Sequence, residues 1–425
     1  MTQRRKYDVI IIGSGPGGVA AAMAAKQTGA EHVIIIERDI EAGGILLQCI
    51  HNGFGLENLG EDLPGPTYAQ KYIEQARELG VEFMLETMVL DVTPERKVFA
   101  TNKYEGVIEL EAGAIVLSMG CRERTRAQIQ LPGSRPAGVY TAGTAQRWVN
   151  IEGYMPGKNF VILGSGDIGM IMARRLTFEG ANVERVLEIM PYLSGLSRNY
   201  VQCLLDFDIP LQLQHTVNRI IGNDRVEAIE SVRVDEQFKP IPGSQEIIPC
   251  DTLLLSVGLI PENELSKKAG VRLDTRIGGP IVDDEYQTSV SGIFAAGNVV
   301  HVYDLADWVT QAGFRAGAAA AKYAMGKLTK KNRTITTSGG SHVRYVIPYS
   351  INPDNLKEHE IPLQLRVSQP IESPVRVVVR AGEKEITRKN EMYARPGEMI
   401  SIILQEKHYD SIMHTDELVV DIIER

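Results

Sequence analysis

Two glycine-rich turns, each placed between an apolar strand and a helix, predict an α/β fold with two Rossmann-like domains. A third observation comes from the C-terminal stretch, where apolar and polar residues alternate. Alternation with a period of two is typical of half-buried strands. The sequence therefore predicts a small C-terminal all-β domain after the two α/β domains.

The first glycine-rich turn follows the apolar run Val9–Ile12, which is typical of a buried parallel strand. Gly13, Gly15 and Gly18 form the pattern G-x-G-x-x-G, which permits a tight turn, backbone approach to a pyrophosphate and close helix packing. The helix N-terminus binds phosphate through its free N–H groups and its dipole. The next strand ends at Glu37, whose carboxylate can accept hydrogen bonds from a ribose diol.

The same pattern returns after the apolar run Phe160–Leu163. Gly164, Gly166 and Gly169 form the second turn, and the following strand ends at Glu188. The first glycine and the acid are 24 residues apart in both copies. Two turns with matched spacing predict two bound dinucleotides.

Charges near the second turn bear on which nucleotide binds there. Asp167 lies inside the turn, where a carboxylate suits the helix dipole but repels a pyrophosphate. It either caps the helix and points away, or it weakens binding. Glu188 would repel a 2′-phosphate, and the residues after it, Ile189, Met190 and Pro191, include no arginine. The sequence therefore favours NADH over NADPH.

Further motifs follow in the order found in the two-dinucleotide flavoprotein family that includes glutathione reductase, and the chain resembles that family over residues 1–330. The motifs are the Glu37-Arg38 and Gly43-Gly44 pairs, "AIVLSMGCRER" at 114–124, "CDTLLLSVGLIPEN" at 250–263 and "TSVSGIFAAGNVV" at 288–300. The resemblance implies FAD at the first turn and NAD at the second.

The resemblance also implies individual cofactor contacts. For FAD they are Gly13, Gly15, Gly17, Gly18, Glu37, Arg38, Gly43, Gly44, Gln48, Gly120, Gly297, Asn298, Trp308 and Val309; for NAD they are Gly164, Gly166, Gly169, Glu188 and Gly258. The family usually has an aspartate where this chain has Asn298, and an amide oxygen can still accept a hydrogen bond from a ribityl hydroxyl. A helix that begins near Trp308 would turn its positive end to the flavin and stabilise the reduced anion.

A narrower likeness concerns the segments "RPAGVYTAGTAQ", "GSGDIGMIMARR" and "RNYVQCLLDFDIPL". They resemble a subgroup of NAD- and FAD-linked dehydrogenases that work as one subunit of an assembly. The resemblance implies a second flavoprotein as partner, of the glycerol-3-phosphate or amino-acid dehydrogenase type, and in some cases a small cysteine-rich protein.

The catalytic candidates are Cys49 and His51. Disulfide reductases of the family carry two cysteines shortly after the glycine pair, where this chain has Ile45–Leu47, so a dithiol relay of that type is excluded. Three roles remain open for Cys49: a single-thiol centre that cycles through sulfenic acid, a flavin neighbour that tunes the potential, and a small buried hydrophobe. His51 either lowers the thiol pKa or is a structural histidine.

Stretches rich in glycine, proline and polar residues predict the boundaries of four domain segments. They are an FAD-binding part at 1–143, an NAD-binding domain at 144–280, a second FAD-binding part at 281–327 and a β domain at 340–425. A polar linker, "KLTKKNRTITTSGGS", precedes the last segment. Within it, Leu363, Leu365 and Val367 would share one face of a strand, and Ala381-Gly382 suits a hairpin turn. The β domain is either a docking module for a partner or a lid on the FAD domain.

Composition limits the function classes. The net charge of −9 argues against a nucleic-acid surface, and no apolar run is long enough to predict a transmembrane helix. The four cysteines, Cys49, Cys121, Cys203 and Cys250, are too widely spaced for a metal site, and free thiols suit the cytoplasm.

These observations predict an FAD-dependent NAD(H) oxidoreductase that exchanges electrons with a partner dehydrogenase subunit, with glycerol 3-phosphate as the first substrate to test. Two alternatives stay open. One is a stand-alone NADH oxidase or peroxidase that uses Cys49, and the other is an FAD-holding scaffold subunit with a silent NAD site.

Overall fold

The computed structural model describes residues 5–328 and 333–425. Its contacts divide the chain into two compact units, a first unit of Met1–Cys121 with Pro261–Arg425 and a second unit of Arg122–Ile260. Each unit contains a Rossmann-like sheet, which is mixed in the first unit and parallel in the second, and the C-terminal segment consists mainly of strands, so the predicted fold class is confirmed.

The elements of the described ranges are as follows. The helices are α1 (Pro16–Thr28), α2 (Gly65–Glu78), α3 (Ala142–Arg147), α4 (Asp167–Phe178), α5 (Ser197–Cys203), α6 (Glu264–Lys268), α7 (Ala306–Ala324) and α8 (Tyr409–Ile412). The strands up to residue 261 are β1 (Arg5–Ile12), β2 (Val33–Ile36), β3 (Glu82–Met84), β4 (Met88–Val92), β5 (Lys97–Asn102), β6 (Gly106–Leu117), β7 (Cys121–Glu123), β8 (Val139–Thr141), β9 (Asn159–Leu163), β10 (Asn182–Glu188), β11 (Leu211–Leu213), β12 (His215–Gly222), β13 (Val226–Arg233), β14 (Glu246–Pro249), β15 (Thr252–Leu255) and β16 (Leu259–Pro261). The later strands are β17 (Ile293–Ala295), β18 (Ile335–Gly339), β19 (Val343–Ile347), β20 (Ser350–Ile351), β21 (Ile361–Val367), β22 (Val375–Ala381), β23 (Lys384–Glu391), β24 (Ile400–Leu404) and β25 (Glu417–Glu424).

The first unit contains a seven-stranded sheet with the order β3-β2-β1-β6-β5-β4, in which β17 also pairs with β6. The predicted strands Val9–Ile12 and Val33–Ile36 are both present and buried throughout, as expected for parallel strands covered on both faces. Because Ile12 pairs with Ile36, the turn after β1 and the acid after β2 leave the sheet at the same edge.

Helices α1 and α7 of the first unit pack at very close range. A Cβ added to Gly313 or Gly317 of α7 would overlap a carbonyl oxygen of α1, that of Gly17 or Ala21. Small residues at these positions therefore let the two backbones touch. The contact fixes the start of α7 beside the glycine-rich turn that precedes α1.

The C-terminal strands β18–β25 form two sheets, with the orders β20-β18-β25-β22-β23 and β19-β21-β24. They enclose an apolar core in which Leu363, Leu365 and Val367 are fully buried, as predicted. Ala381 pairs with Lys384 across a turn at Gly382, whose φ is 58°, so the predicted hairpin is also confirmed.

The second unit contains a five-stranded parallel sheet with the order β11-β10-β9-β15-β8 and a three-stranded antiparallel sheet, β12-β13-β14. Alternate residues of β9 enter different cores: Phe160 and Ile162 pack with the helices, and Val161 and Leu163 pack with β12–β14. Because Leu163 pairs with Leu187, the second glycine turn and Glu188 again leave the sheet at one edge.

The segment limits of the structure differ from the predicted ones. Residues 139–141 form β8, which pairs with β15 in the sheet of the second unit, so the second unit begins before residue 144. Residues 261–280 belong to the first unit, where Gly279 lies directly against the carbonyl of Val300. The four-part division at 143, 280, 327 and 340 otherwise stays a prediction.

The predicted polar linker is wrong in its second half. Ile335–Gly339 form β18, which pairs with β25 and with β20. Ile335 is fully buried, and the β-branched threonines that follow it favour a strand despite their polarity. Residues 329–332 of the predicted linker lie outside the described residues.

The α1–α7 contact makes a prediction about stability. Gly317→Ala places a methyl group against the carbonyl of Ala21, so we expect the free energy of unfolding to fall by about 1–3 kcal/mol. Thermal unfolding measures the change. The control Ala318→Ser, at a half-buried position of the same helix, should change stability by less than ~0.5 kcal/mol. Equal stability of the two variants would contradict the close packing.

Candidate functional site

The first glycine-rich turn has the geometry of a phosphate-binding turn. Gly13 has φ 101°, and a Cβ on Gly13 or Gly18 would overlap backbone, whereas a Cβ on Gly15 would meet nothing within 4 Å. Helix α1 begins directly after Gly15 with no side-chain cap. An open backbone at an uncapped helix N-terminus fits the pyrophosphate of a dinucleotide.

A buried carboxylate closes the first turn. Glu37 Oε2 accepts hydrogen bonds from Ser14 N at 2.9 Å and Ser14 Oγ at 2.6 Å, and Glu37 Oε1 accepts from Asp39 N at 2.9 Å. Ser14 Oγ in turn accepts from Gly43 N at 3.2 Å. These bonds hold the turn, the end of β2 and the glycine pair together.

The second unit repeats this arrangement. Glu188 Oε2 accepts from Ser165 N at 2.9 Å and Ser165 Oγ at 2.6 Å, and Glu188 Oε1 accepts from Met190 N at 2.9 Å. Ser165 Oγ accepts from Ser194 N at 3.0 Å. We call each serine–glutamate pair a clasp, the first being Ser14–Glu37 and the second Ser165–Glu188.

Neither serine of the clasps was among the predicted site residues. They stand between the first two glycines of each turn, so the turns share the tripeptide Gly-Ser-Gly. The serine and the residue that donates to its hydroxyl are 29 residues apart in both copies. This repeat was visible in the sequence and extends the resemblance between the two turns beyond the glycines and the acid.

Asp167, the acidic residue in the second turn, is tied to the following helix. Its Oδ1 accepts from Leu196 N at 2.8 Å and from Asn199 Nδ2 at 2.7 Å. The carboxylate therefore joins the start of α4 to the start of α5. These bonds go to α5 and the residue before it, so the two roles that the sequence left open for Asp167 stay predictions.

Val309 of α7 lies between the start of α1 and the motif at 288–300. Val309 Cγ1 is 3.2 Å from the place of a Cβ on Gly17 and 2.9 Å from that on Gly297. Asn298 Oδ1 accepts from Tyr303 N at 3.0 Å, and Asn298 Nδ2 donates to Cys121 Sγ at 3.6 Å. A carbonyl oxygen has two lone pairs, so Asn298 can still accept a ribityl hydroxyl.

The start of α7 carries a buried acid, Asp307, that was not among the predicted site residues. Asp307 accepts hydrogen bonds from Tyr68 Oη at 3.2 Å and Gly55 N at 3.1 Å. Beside it, Trp308 Nε1 donates to Glu57 Oε2 at 2.7 Å. The negative charge of Asp307 opposes the positive helix end that was predicted to face the flavin.

The remaining predicted contacts are mostly turn residues. Gly44 lies against the first turn, since its Cβ would stand 3.0 Å from Gly15 Cα. Gln48 is buried, whereas Arg38 is exposed. Four glycines have left-handed φ values that favour glycine: Gly43 (130°), Gly44 (59°), Gly120 (72°) and Gly258 (97°).

The side chain of Cys49 is half-buried. Its Sγ donates to the carbonyl of Ile45 at 3.3 Å, and burial raises the pKa of the thiol to about 12. The thiol is therefore protonated at neutral pH, which disfavours a nucleophilic role. His51 Nδ1 lies 2.8 Å from the carbonyl oxygen of Asn52, and its ring packs on Phe54 at 5.2 Å.

A buried ion pair joins the C-terminal segment to the stretch that follows the motif at 288–300. Arg366 of β21 pairs with Asp304 and donates to the carbonyl oxygen of Val302 at 3.0 Å. Asp304 Oδ2 also accepts from Met399 N at 2.6 Å. Two segments from the C-terminal sheets therefore hold the stretch between Gly297 and α7.

Two kinds of site are not found. Among residues 5–328 and 333–425, no group of three or more His, Cys, Asp and Glu side chains is placed to hold a metal ion. Within the same residues, no helix is both long and apolar enough to cross a membrane.

Comparisons with known proteins agree with this architecture. An opine oxidase subunit of Agrobacterium tumefaciens is 27% identical over 310 residues, which cover 69% of this chain and 61% of that protein. The small chain of glutamate synthase (NADPH) from Mycobacterium tuberculosis is 27% identical over 350 residues, 75% and 67% of the two chains. The chain spans 61% and 59% of the length of two opine oxidase subunits that it matches.

Solved structures share the fold. Thioredoxin reductase of T. acidophilum has a TM-score of 0.62 and 22% identity, and it covers 76% of this chain and 99% of its own. The NAD-dependent persulfide reductase from A. fulgidus has a TM-score of 0.57 and 17% identity, over 94% and 71% of the two chains. The family model described as pyridine nucleotide-disulphide oxidoreductase matches residues 7–363. The chain therefore belongs to the pyridine nucleotide-disulphide oxidoreductase family, whose members bind FAD and NAD(P)H.

Proposed function

We propose that the chain passes hydride between NAD(H) and FAD, and passes electrons to or from a partner dehydrogenase subunit. The observation that carries the proposal is the repeated clasp, with one phosphate-binding turn and one buried glutamate in each unit. When both cofactors are bound, the flavin supplies a ring that exchanges hydride with the nicotinamide.

The residues of the chain bind and orient the two nucleotides. The uncapped N-terminus of α1 offers N–H groups to a pyrophosphate, and Glu37 keeps an acceptor position on Oε1 for a ribose hydroxyl. Gly164 and Glu188 play the same parts in the second unit. Hydride transfer needs aligned rings more than an acid or a base, so it does not require Cys49 or His51.

The favoured nucleotide is NADH. Glu188 is only 3% exposed and accepts hydrogen bonds as a carboxylate, so a 2′-phosphate beside it would meet a negative charge. Ile189, Met190 and Pro191 provide no cation against that repulsion.

The proposed partner is a second flavoprotein, with a small cysteine-rich protein as a third component of the oligomer in some assemblies. The opine oxidase relatives, which are named as subunits, and the glutamate synthase small chain support a subunit role. Glycerol 3-phosphate remains the first substrate to test on the partner. Amino acids belong in the same test, because the relatives are named as opine oxidase and glutamate synthase subunits. The four cysteines form no disulfide, which supports a cytoplasmic location.

The proposal predicts that NADH bleaches the flavin of the FAD-loaded protein under anaerobic conditions. The bleaching should saturate with NADH concentration and should require far more NADPH, because of the charge of Glu188. Stopped-flow absorbance in the visible flavin band measures both. A flavin that stays oxidised with either nucleotide would leave only the scaffold role with a silent NAD site.

The clasps predict a reciprocal pair of defects. Ser14→Ala should weaken FAD binding about tenfold and leave NAD⁺ binding unchanged, since Ser14 Oγ joins Glu37 to the backbone N–H of Gly43 and thereby holds the turn in shape. Ser165→Ala should do the reverse. Flavin fluorescence titration of the apoprotein and calorimetry with NAD⁺ measure the two affinities, and each variant is the control for the other. Equal losses of both ligands would indicate general unfolding instead.

The high pKa of Cys49 predicts that its thiol is dispensable. Cys49→Ser should reduce its flavin with NADH at a rate within about twofold of the unaltered protein, because a protonated thiol is not a nucleophile. Peroxide turnover should be equally low in both proteins. Rapid peroxide turnover that disappears in Cys49→Ser would instead establish the single-thiol mechanism.

A further inference from the structure

Glu188 accepts one hydrogen bond more than its counterpart Glu37. Glu37 accepts three, two from Ser14 and one from Asp39 N. Glu188 accepts the three corresponding bonds and a fourth from Ser194 Oγ, at 2.9 Å. Oε2 of Glu188 accepts three of these bonds and Oε1 accepts one, so donors of the protein itself crowd Oε2, whereas Oε1 keeps the acceptor position that Oε1 of Glu37 also has.

The fourth donor is not needed to form the turn. Gly43 holds the position in the first unit that Ser194 holds in the second, 29 residues after the clasp serine in both. The backbone N–H of each donates to that serine, at 3.2 Å from Gly43 and 3.0 Å from Ser194. The two units therefore share the backbone contact and differ by the hydroxyl.

We propose that the hydroxyl of Ser194 competes with the adenosine ribose of NAD(H) for Glu188 and thereby lowers the affinity of the second site. This inference rests on the proposed function, because it takes Glu188 as the acceptor for ribose hydroxyls. Ser194 is half-buried, so a ligand can reach it. A ribose diol that uses the open position on Oε1 needs a second acceptor, and on Oε2 it has to displace a donor that already bonds to the carboxylate.

The hydroxyl can be removed from position 194 or added at position 43, and only its removal is suitable as a test. Ser194→Ala removes the hydroxyl and keeps the backbone N–H that donates to Ser165 Oγ. The reverse change, Gly43→Ser, is unsuitable because Gly43 has φ 130° and its Cβ would stand 2.8 Å from Leu47 Cδ2. Ser194→Thr keeps the hydroxyl at the same position.

The experiment is calorimetric titration of NAD⁺ into the oxidised, FAD-loaded protein. Ser194→Ala should bind NAD⁺ about tenfold more tightly, a difference of ~1.4 kcal/mol, and Ser194→Thr should bind like the unaltered protein. Ser134→Ala is the matched control in the second unit, because Ser134 Oγ donates to the carbonyl oxygen of Ile220, at 3.3 Å, and takes no part in the clasp. Its affinity for NAD⁺ should not change.

A modified ligand links the gain to the ribose. The second ligand is NAD⁺ that lacks the adenosine 2′-hydroxyl. With this ligand the affinity ratio of Ser194→Ala to the unaltered protein should fall toward one, because the ribose hydroxyl that competes with Ser194 is absent. In turnover, Ser194→Ala should lower the KM for NADH without changing the flavin reduction rate at saturating NADH. A merely structural effect would alter both quantities.

The outcomes separate the two ideas. Tighter binding by Ser194→Ala that depends on the 2′-hydroxyl supports the inference. Unchanged or weaker binding by Ser194→Ala, while the unaltered protein binds NAD⁺, overturns the inference and leaves the proposed function standing. Failure of both proteins to bind NAD⁺ overturns the proposed function and the inference together.

Discussion

Burial of a carboxylate at the end of a parallel strand is the constraint on which both nucleotide sites depend. Glu37 and Glu188 are 8% and 3% exposed, and a buried charge without donors is costly. In each unit the donors come from the serine inside the glycine-rich turn and from the backbone two residues after the acid. The acid can thus be buried only when the turn is formed, so the clasp couples the end of one strand to the turn that follows its neighbour.

Close backbone contacts in the first unit place α7 and the motif at 288–300 beside the first glycine-rich turn. The glycines of α7 let that helix lie against α1, and Val309 then fits between Gly17 and Gly297. Two motifs that are almost 300 residues apart in the sequence are therefore aligned by packing of very small residues. Such contacts tolerate little added volume, because protein interiors are already close-packed. The carboxylate of Asp307 lies in the first turn of α7, so its negative charge reduces the positive electrostatic potential that the helix dipole creates there.

Local patterns in the sequence predicted the fold class, the strands beside both turns, the face of β21 and the hairpin at Gly382, because strand periodicity and turn chemistry are local properties. Contacts between distant segments were not predictable in this way. The pairing of β8 with β15 and of β18 with β25 moved the segment limits, and the ion pair of Arg366 with Asp304 carried no local signal. The clasp serines were a different case, since the repeated Gly-Ser-Gly was visible and only its role was missed. For Cys49 the sequence showed a lone thiol, and only its burial indicated that the thiol stays protonated.

The ion pair also limits how the C-terminal segment can act. Arg366 and Asp304 are both largely buried, and an opening of the segment would separate them. The further bonds of these residues to Val302 and Met399 would be lost at the same time. A mechanism in which the whole segment swings open would therefore have to break the ion pair and both of these bonds together. If a partner docks on the C-terminal sheets, it should bind their outer surface while the pair stays closed, and the stretch between Gly297 and α7 then keeps its place against the first turn.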